Sequence, residues 1–131
     1  MNYVSEKAKI GPDVKIGRFT VIEDDVIIGK GTVIGNNVTI YKGSIIGENV
    51  RIDDNAIIGK QPMRAANSIF KDKSEKPPCR IGNECIIGTS AVIYAGCIIG
   101  EKCLIADLAT VREDVTIGDM TIITAGIWLK H

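Results

Sequence analysis

Four side chains suited to chemistry lie between Ser90 and Glu113 of this 131-residue chain. Asp107 and Glu113 are six residues apart, and either carboxylate can hold an ammonium group or accept its proton. Ser90 follows Gly88-Thr89, where a hydroxyl or backbone N–H groups can stabilise an oxyanion. Arg112 can bind a pyrophosphate or pair with Glu113. An exposed structural role is the alternative for each of the four.

The chain contains one histidine, His131, at its last position. Removing a proton from an alcohol calls for a general base such as histidine, whereas the free-base form of an amine is already a nucleophile. A zinc site built from three histidines is excluded by the same count. The sequence therefore favours attack by an amine, with the protein supplying positioning and stabilisation of a tetrahedral oxyanion.

An aliphatic residue recurs at every sixth position, from Val4 to Ile58 and again from Ile81 to Leu129. We number each hexad from this residue: glycine is common at the second position, and small or β-branched residues fill the fifth. A period of six fits neither an amphipathic helix nor a simple alternating strand. It predicts a solenoid of about six triangular coils, each built from three hexads, with the aliphatic residues inside and parallel strands stacked between coils.

The hexad register is interrupted once. Ile58 and Ile81 are 23 residues apart, which is not a multiple of six. We therefore predict a single domain over residues 1–131, with coils at 4–58 and 81–128 and an extruded loop at 59–80. Long loops in a compact solenoid tend to be functional, and an insertion without a role is the alternative. The charges of Lys71 to Lys76 are predicted to form a solvated tip.

The four cysteines follow the same register. Cys85, Cys97 and Cys103 occupy the fifth position, and the pairs 85/103 and 79/97 are eighteen residues apart, so the members of each pair should stack in adjacent coils. The CxxC spacing typical of zinc sites is missing. These residues are predicted to be core-filling thiols with no bound metal, and a disulfide or a reactive site is the alternative.

Charge and hydropathy limit the partners. Sixteen acidic and sixteen basic residues give a formal net charge of zero, so there is no electrostatic case for a nucleic acid or an anionic membrane as partner. No apolar run approaches the length of a membrane span. We expect a soluble cytoplasmic protein.

Several segments carry a more specific resemblance. GKQPMRAANS, the Pro77-Pro78 pair followed by Ile81-Gly82, IGTSAVIY and IADLATVREDVTIG resemble nucleotide-sugar N-acyltransferases of the hexapeptide-repeat superfamily, which acylate a dTDP-linked amino sugar with an acyl-CoA. The similarity covers residues 4 to about 122. It implies an all-β fold, the left-handed parallel β-helix.

The resemblance also implies a site. Family members are homotrimers with active sites between subunits, use acyl-CoA as co-substrate and hold no bound cofactor. The position of the histidine base of related sugar acetyltransferases falls on Ala95 here. The implied catalytic residues are Ser90, Asp107 and Glu113. The implied substrate-binding residues are Arg64, Asn67 and Ser68 in the loop, together with Asn83, Tyr94 and Arg112.

The leading hypothesis is transfer of an acyl group from acyl-CoA to the amino group of a nucleotide-linked amino-deoxy sugar. Family members continue with further coils and a C-terminal segment that contacts acyl-CoA, so this chain is expected to be truncated. One alternative is therefore an inactive member acting as an oligomerising or nucleotide-sugar-binding scaffold, and another is a CoA-dependent O-acetyltransferase.

Overall fold

A computed structural model describes residues 1–63, 65–66 and 74–129. Within these ranges the chain forms only short β-strands and turns. None of this part of the protein forms a helix that is long and apolar enough to cross a membrane.

The strands form three parallel sheets. Sheet 1 has seven strands: β1 (Tyr3–Val4), β4 (Val21–Ile22), β7 (Thr39–Ile40), β10 (Ile57–Lys60), β13 (Val92–Tyr94), β16 (Thr110–Val111) and β19 (Ile127–Trp128). Sheet 2 has six strands: β2 (Lys9–Ile10), β5 (Ile27–Ile28), β8 (Ile45–Ile46), β11 (Arg80–Ile81), β14 (Ile98–Ile99) and β17 (Thr116–Ile117). Sheet 3 also has six: β3 (Lys15–Ile16), β6 (Val33–Ile34), β9 (Arg51–Ile52), β12 (Ile86–Ile87), β15 (Leu104–Ile105) and β18 (Ile122–Ile123).

Consecutive strands belong to different sheets, so the chain winds around one axis. Each strand pairs with the one three elements later, as when Val21–Ile22 pairs with Thr39–Ile40 eighteen residues on. The predicted left-handed parallel β-helix is confirmed, with six complete coils and the first strand of a seventh. The core is a column of first-position isoleucines, and those from Ile22 to Ile105 are almost completely buried.

The corners are turned mainly by the fourth residue of each hexad. This residue has a positive φ in nearly every hexad, whether it is asparagine, aspartate, glycine or a larger side chain such as Leu108, at 63°. The second-position glycines, except Gly59, have no positive φ. Most of them are required because the next coil passes too close: a Cβ on Gly82 would lie 2.7 Å from the carbonyl carbon of Gly100, whereas a Cβ on Gly118 would meet nothing within 4 Å. The sequence showed the glycines but not this reason for them.

Polar side chains tie successive coils together. Third-position oxygens accept hydrogen bonds from the backbone N–H of the coil below, as in Arg18 N–H to Asn36 Oδ1 at 2.8 Å and Glu101 N–H to Asp119 Oδ1 at 2.8 Å. The fifth-position hydroxyls of Thr20 and Thr32 donate to a second-position carbonyl of the next coil, as in Thr32 Oγ1 to Gly47 O at 2.9 Å. Ser44 Oγ instead donates to Tyr41 O of its own coil at 2.8 Å. The buried hydroxyls of the core thus have hydrogen-bond partners.

Two boundaries differ from the prediction. Strand β10 continues through a bulge to Lys60, which pairs with Tyr94, and the coil resumes at Arg80. At the C-terminal end, Val111 pairs with Trp128 rather than Leu129, so the predicted inward position of Leu129 is wrong. The register slips by one residue because only seventeen residues separate Val111 from Trp128.

Candidate functional site

Those predicted site residues that the structure describes lie on three edges of the triangular prism. The loop corner, between sheets 1 and 2, carries Tyr94, Arg112 and Glu113, together with both ends of the loop. The second corner, between sheets 2 and 3, carries Asn83. The third corner, between sheets 3 and 1, carries Ser90 and Asp107. One chain therefore does not bring the catalytic candidates together at a single point.

The loop leaves the loop corner at residues 59–61 and rejoins it at residues 75–78. We call these two segments the roots of the loop. The chain leaves the coil at Gly59, which has φ 86°. Two hydrogen bonds then join the side chain of Gln61 to the backbone of Lys76: Gln61 Nε2 donates to Lys76 O at 3.1 Å, and Lys76 N–H donates to Gln61 Oε1 at 2.9 Å. Pro77 O accepts the N–H of Gly96 at 2.6 Å. Pro77 thus takes the third-position role of an ordinary hexad.

A charged cluster lies above the roots. Lys76 Nζ is 3.0 Å from Asp114 Oδ2, and the Lys76 side chain is only 21% exposed. The expectation of a solvated tip is therefore wrong for Lys76, because its ammonium is tied back to the corner. The sequence places Asp114 at the fourth position of its hexad, but the six-residue period does not predict an ion pair between Asp114 and Lys76, because Lys76 lies in the loop.

Tyr94, which the resemblance implies as a substrate-binding residue, is buried, with 6% of its surface exposed. Its ring lies beneath two cations: the Arg112 Cζ is 4.4 Å from the ring centroid and the Lys60 Nζ is 5.6 Å away. Arg112 Nε also donates to Glu113 Oε1 at 2.9 Å. Of the two roles predicted for Arg112, the structure shows pairing with Glu113, and Tyr94 supports the guanidinium from below.

Ala95 is also buried, with 1% of its surface exposed. Its N–H donates to Lys60 O at 2.8 Å, so the root of the loop covers this third position. The position that the resemblance matches to a histidine base therefore has no titratable group and is shielded from solvent.

Ser90 and Asp107 have structural bonds at the third corner. Ser90 has φ 60° at the fourth position, and its N–H donates to Asp54 O at 3.0 Å. Asp107 Oδ1 accepts the N–H of Thr89 at 2.7 Å, in the same stacking ladder as Asn36 and Asp54. Asp107 is exposed, so its second carboxylate oxygen can still meet a substrate.

Two variants of Asp107 test its structural hydrogen bond separately from the charge of its carboxylate. Asp107→Asn keeps an oxygen for the Thr89 N–H, and asparagine already occupies this position at Asn36, so stability should not change. Asp107→Ala removes the bond and should lower the free energy of unfolding by about 1 kcal/mol. Urea denaturation of both variants measures this. Equal losses of stability would show that the ladder bond does not depend on the side-chain oxygen.

The remaining predicted residues are less informative. Asn83 is committed to stacking: its Oδ1 accepts from Glu48 N–H at 2.8 Å and its Nδ2 donates to Glu101 Oε1 at 3.2 Å. Arg64, Asn67 and Ser68 lie outside the described residues.

All four cysteines are free and buried, which confirms them as core residues. Cys79 occupies the fifth position of the hexad that resumes after the loop, like the other three. The thiols act as the hydroxyls do elsewhere, with Cys85 Sγ donating to Gly100 O at 3.0 Å and Cys97 Sγ to Arg112 O at 2.9 Å. In the described ranges no group of three His, Cys, Asp or Glu residues is placed to hold a metal ion.

Burial raises the pKa of Cys85 and of Cys97 to about 11, and that of Cys79 well above its usual range. Unfolded thiols lose their protons first, so the free energy of unfolding should fall as the pH rises from about 9 towards about 11. Denaturation curves across this range measure the fall. It should be smaller in the Cys85→Ala, Cys97→Ala double variant, and an unchanged slope there would contradict the assignment.

A cleft of about 470 Å³ opens on the loop corner below the roots. It is lined by Asp25, Tyr41, Lys42, Gly43, Gly59, Gln61, Glu75, Lys76 and Pro78. Sequence reasoning missed Tyr41 and Lys42, which stand at ordinary hexad positions three coils before Arg112. Tyrosine at the second position, where glycine is usual, was the available signal.

The six-residue repeat matches the model of a known protein family. The model for "Bacterial transferase hexapeptide (six repeats)" matches residues 7–42, 31–61 and 78–112, which together cover more than half of the chain. No curated protein sequence is similar enough to count as a relative.

Solved structures share the fold at low identity. A variant of GDP-perosamine N-acetyltransferase from Caulobacter crescentus, in complex with CoA and GDP-perosamine, has 16% identity and a TM-score of 0.72, covering 95% of this chain and 53% of the other. UDP-N-acetylglucosamine acyltransferase from Francisella novicida has 23% identity, a TM-score of 0.68 and coverages of 97% and 60%. A hexapeptide transferase family protein from Anaplasma phagocytophilum has 18% identity, a TM-score of 0.71 and coverages of 96% and 74%. The chain therefore spans only part of these proteins.

Proposed function

The chain belongs to the bacterial hexapeptide transferase family, and we propose on this basis that it transfers an acyl group from acyl-CoA to the amino group of a nucleotide-linked amino-deoxy sugar. In the reaction the thioester C–S bond breaks, an amide C–N bond forms, and CoA leaves as the thiol with a proton from the amine. The similar structures named above include an N-acetyltransferase of a nucleotide sugar with CoA bound, which supports this substrate class.

One observation carries the choice of an amine over an alcohol. Ala95, buried under Lys60, occupies the place of the base in related sugar acetyltransferases, and the chain holds no histidine before His131. An amine whose free base is already nucleophilic needs only positioning and stabilisation of the oxyanion. Alcohol acylation would need a strong base at this site.

In this proposal the two corners flanking sheet 1 have different roles. Asp107 holds the sugar ammonium and accepts its proton, with Ser90 contributing a polar group to the oxyanion. Glu113 keeps the Arg112 guanidinium oriented for an anionic part of a substrate. Arg64, Asn67 and Ser68 contact the nucleotide. Since the corners are separate edges of one prism, the complete site is formed where the loop corner of one subunit meets the third corner of the next.

We also propose a homotrimer, because a site formed by two different corners requires two subunits. Four of the six outward residues of sheet 3 are apolar, and at least 37% of the surface of each is exposed: Val33, Ile86, Leu104 and Ile122. The other two are Lys15 and Arg51. A partner subunit would cover such a face. Light scattering should give three times the 14.1 kDa chain mass, and a monomer at micromolar concentration would contradict the proposal.

Release of CoA tests the proposed reaction. The full chain is incubated with acetyl-CoA and a thymidine, uridine or guanosine diphosphate amino sugar, and free thiol is followed with a chromogenic reagent. The four buried cysteines should contribute little signal at neutral pH. We expect CoA release in step with loss of the primary amine, at a rate that rises with pH as more of the amine is unprotonated.

The matched control is the same nucleotide sugar with a hydroxyl in place of the amine. It should release no CoA above background. Turnover of the hydroxyl compound would instead favour the O-acetyltransferase alternative. Saturable binding of nucleotide sugar with no CoA release would favour the scaffold alternative.

A further inference from the structure

The cleft below the loop roots contains groups that the proposed transfer chemistry does not use. Tyr41 contributes a ring that is 38% exposed, and Gly43 and Gly59 contribute backbone without side chains. Pro78 packs against the first of these glycines, because a Cβ on Gly43 would lie 2.7 Å from Pro78 Cγ. An aromatic ring, a proline ring and bare backbone around one opening suit a planar heterocycle.

Of the charged side chains that line the cleft, Lys76 forms an ion pair and the others form none with the described residues. Lys76 is neutralised by Asp114 at 3.0 Å. Lys42 is exposed, and no carboxylate in the described ranges lies within ion-pair distance of it, so its ammonium is available for a phosphate. Asp25 and Glu75 are likewise exposed and form no ion pair with the residues described, so they can accept hydrogen bonds from hydroxyls or from base N–H groups.

We infer that this cleft binds a nucleoside diphosphate, with the base against Tyr41, the diphosphate at Lys42 and sugar hydroxyls at the carboxylates. The inference rests on the proposed function only for the idea that the substrate is nucleotide-linked. A cleft volume of about 470 Å³ lies within the range of small-molecule sites. A carbohydrate without a phosphate would leave Lys42 unused, and an inorganic anion would leave the apolar walls unused.

The position of the cleft gives the roots of the loop a role in binding the ligand. Gln61 and Lys76, which bond to each other, form one wall, while Tyr41 and Lys42 belong to the coil below. A ligand between them would contact both the loop and the coil. The nucleotide would then lie on the same corner as Arg112, closer to the N-terminal end of the prism.

Isothermal titration calorimetry tests this without turnover. The full chain is titrated, in the absence of acyl-CoA, with thymidine, uridine and guanosine diphosphates and with inorganic pyrophosphate. We expect saturable binding of at least one nucleoside diphosphate and about tenfold or more weaker binding of pyrophosphate. Tyr41→Ala and Lys42→Gln should each weaken nucleotide binding about tenfold. Tyr41→Phe keeps the ring and should bind like the unchanged chain.

Lys30→Gln is the matched control, because Lys30 is an exposed third-position lysine on the second corner. It should leave the affinity unchanged. Circular dichroism verifies that each variant is folded. Absence of saturable nucleotide binding would overturn the inference, and so would binding that neither Tyr41→Ala nor Lys42→Gln weakens. Binding that depends on both residues in a chain that releases no CoA would support the cleft while contradicting the proposed transfer reaction.

Discussion

Replacing Gly82 by alanine is expected to lower the free energy of unfolding by about 2–3 kcal/mol. The added Cβ would lie 2.7 Å from both the carbonyl carbon and the oxygen of Gly100, and 2.9 Å from Glu101 N. All three atoms belong to the backbone of the next coil, so no flexible side chain can move aside. Relief of the overlap requires the two coils to separate, which lengthens the hydrogen bonds between them.

Gly118 provides the matched control. It stands in the same column, two coils above Gly82, and a Cβ there meets nothing within 4 Å. Neither glycine has a positive φ, so the backbone itself accepts alanine at both positions. Gly118→Ala should be neutral or stabilise by up to about 1 kcal/mol. Urea denaturation followed by circular dichroism measures both variants, and equal destabilisation would show that close approach of the coils is not the cause.

Removing the loop should abolish the proposed activity while leaving the solenoid folded. Deletion of residues 60–76 joins Gly59 to Pro77, and the resulting order Ile58-Gly59-Pro77-Pro78-Cys79-Arg80-Ile81 is one regular hexad. Pro77 O already accepts the stacking hydrogen bond from Gly96 N–H, and proline occupies the same third position at Pro12. The deletion includes Pro78→Gly, because the fourth position needs a positive φ that proline cannot adopt.

The expected loss of acyl transfer is about 100-fold or more, since Gln61, Lys76 and the rest of the loop no longer position the substrates. Nucleotide binding in the cleft should be lost with it. The melting temperature should change by only a few degrees, because the strand pairs Ile58–Ile93 and Ile81–Ile99 on either side are kept and the described coil contacts that are lost are those of Lys60 and Lys76. CoA release, calorimetry and thermal melts of the same preparation give the three values.

A second variant separates the roots of the loop from its middle. It removes residues 64–73 and joins Met63 to Ser74 through two glycines, leaving Gln61, Glu75 and Lys76 in the chain. Nucleotide affinity should be largely kept if the cleft walls bind the nucleotide. Full acyl transfer by the chain without residues 60–76 would contradict the assignment of the loop to the site.

The fold could be predicted from sequence because one local rule repeats. An isoleucine every sixth residue can be buried in only one way, and the same spacing placed Cys85, Cys97 and Cys103 in the core. The rule says which residues point inward and which share a column, and these predictions are confirmed for the first-position residues from Ile22 to Ile58 and from Ile81 to Ile123, but not for Leu129.

The site was less predictable because its contacts break the rule. Lys76 reaches Asp114 across 38 residues of sequence, and the burial of Tyr94 depends on Lys60 continuing strand β10 beyond its hexad. Asp107 looked catalytic because it is a carboxylate, yet its column already uses Asn36 and Asp54 for stacking. The six-residue period shows which residues form a column. Whether one of them also has a catalytic role depends on the groups that lie next to it outside the prism.

The loop roots also bear on how such a protein can diversify. Ile58 pairs with Ile93, and Ile81 with Ile46, so the coils on both sides keep their pairing whatever lies between residues 60 and 76. Doubling the length of a flexible insertion costs only about 0.6 kcal/mol. Selection can therefore change the length and content of this segment while the stacked coils keep an unaltered scaffold, and under the proposed function such changes would alter the range of acceptors.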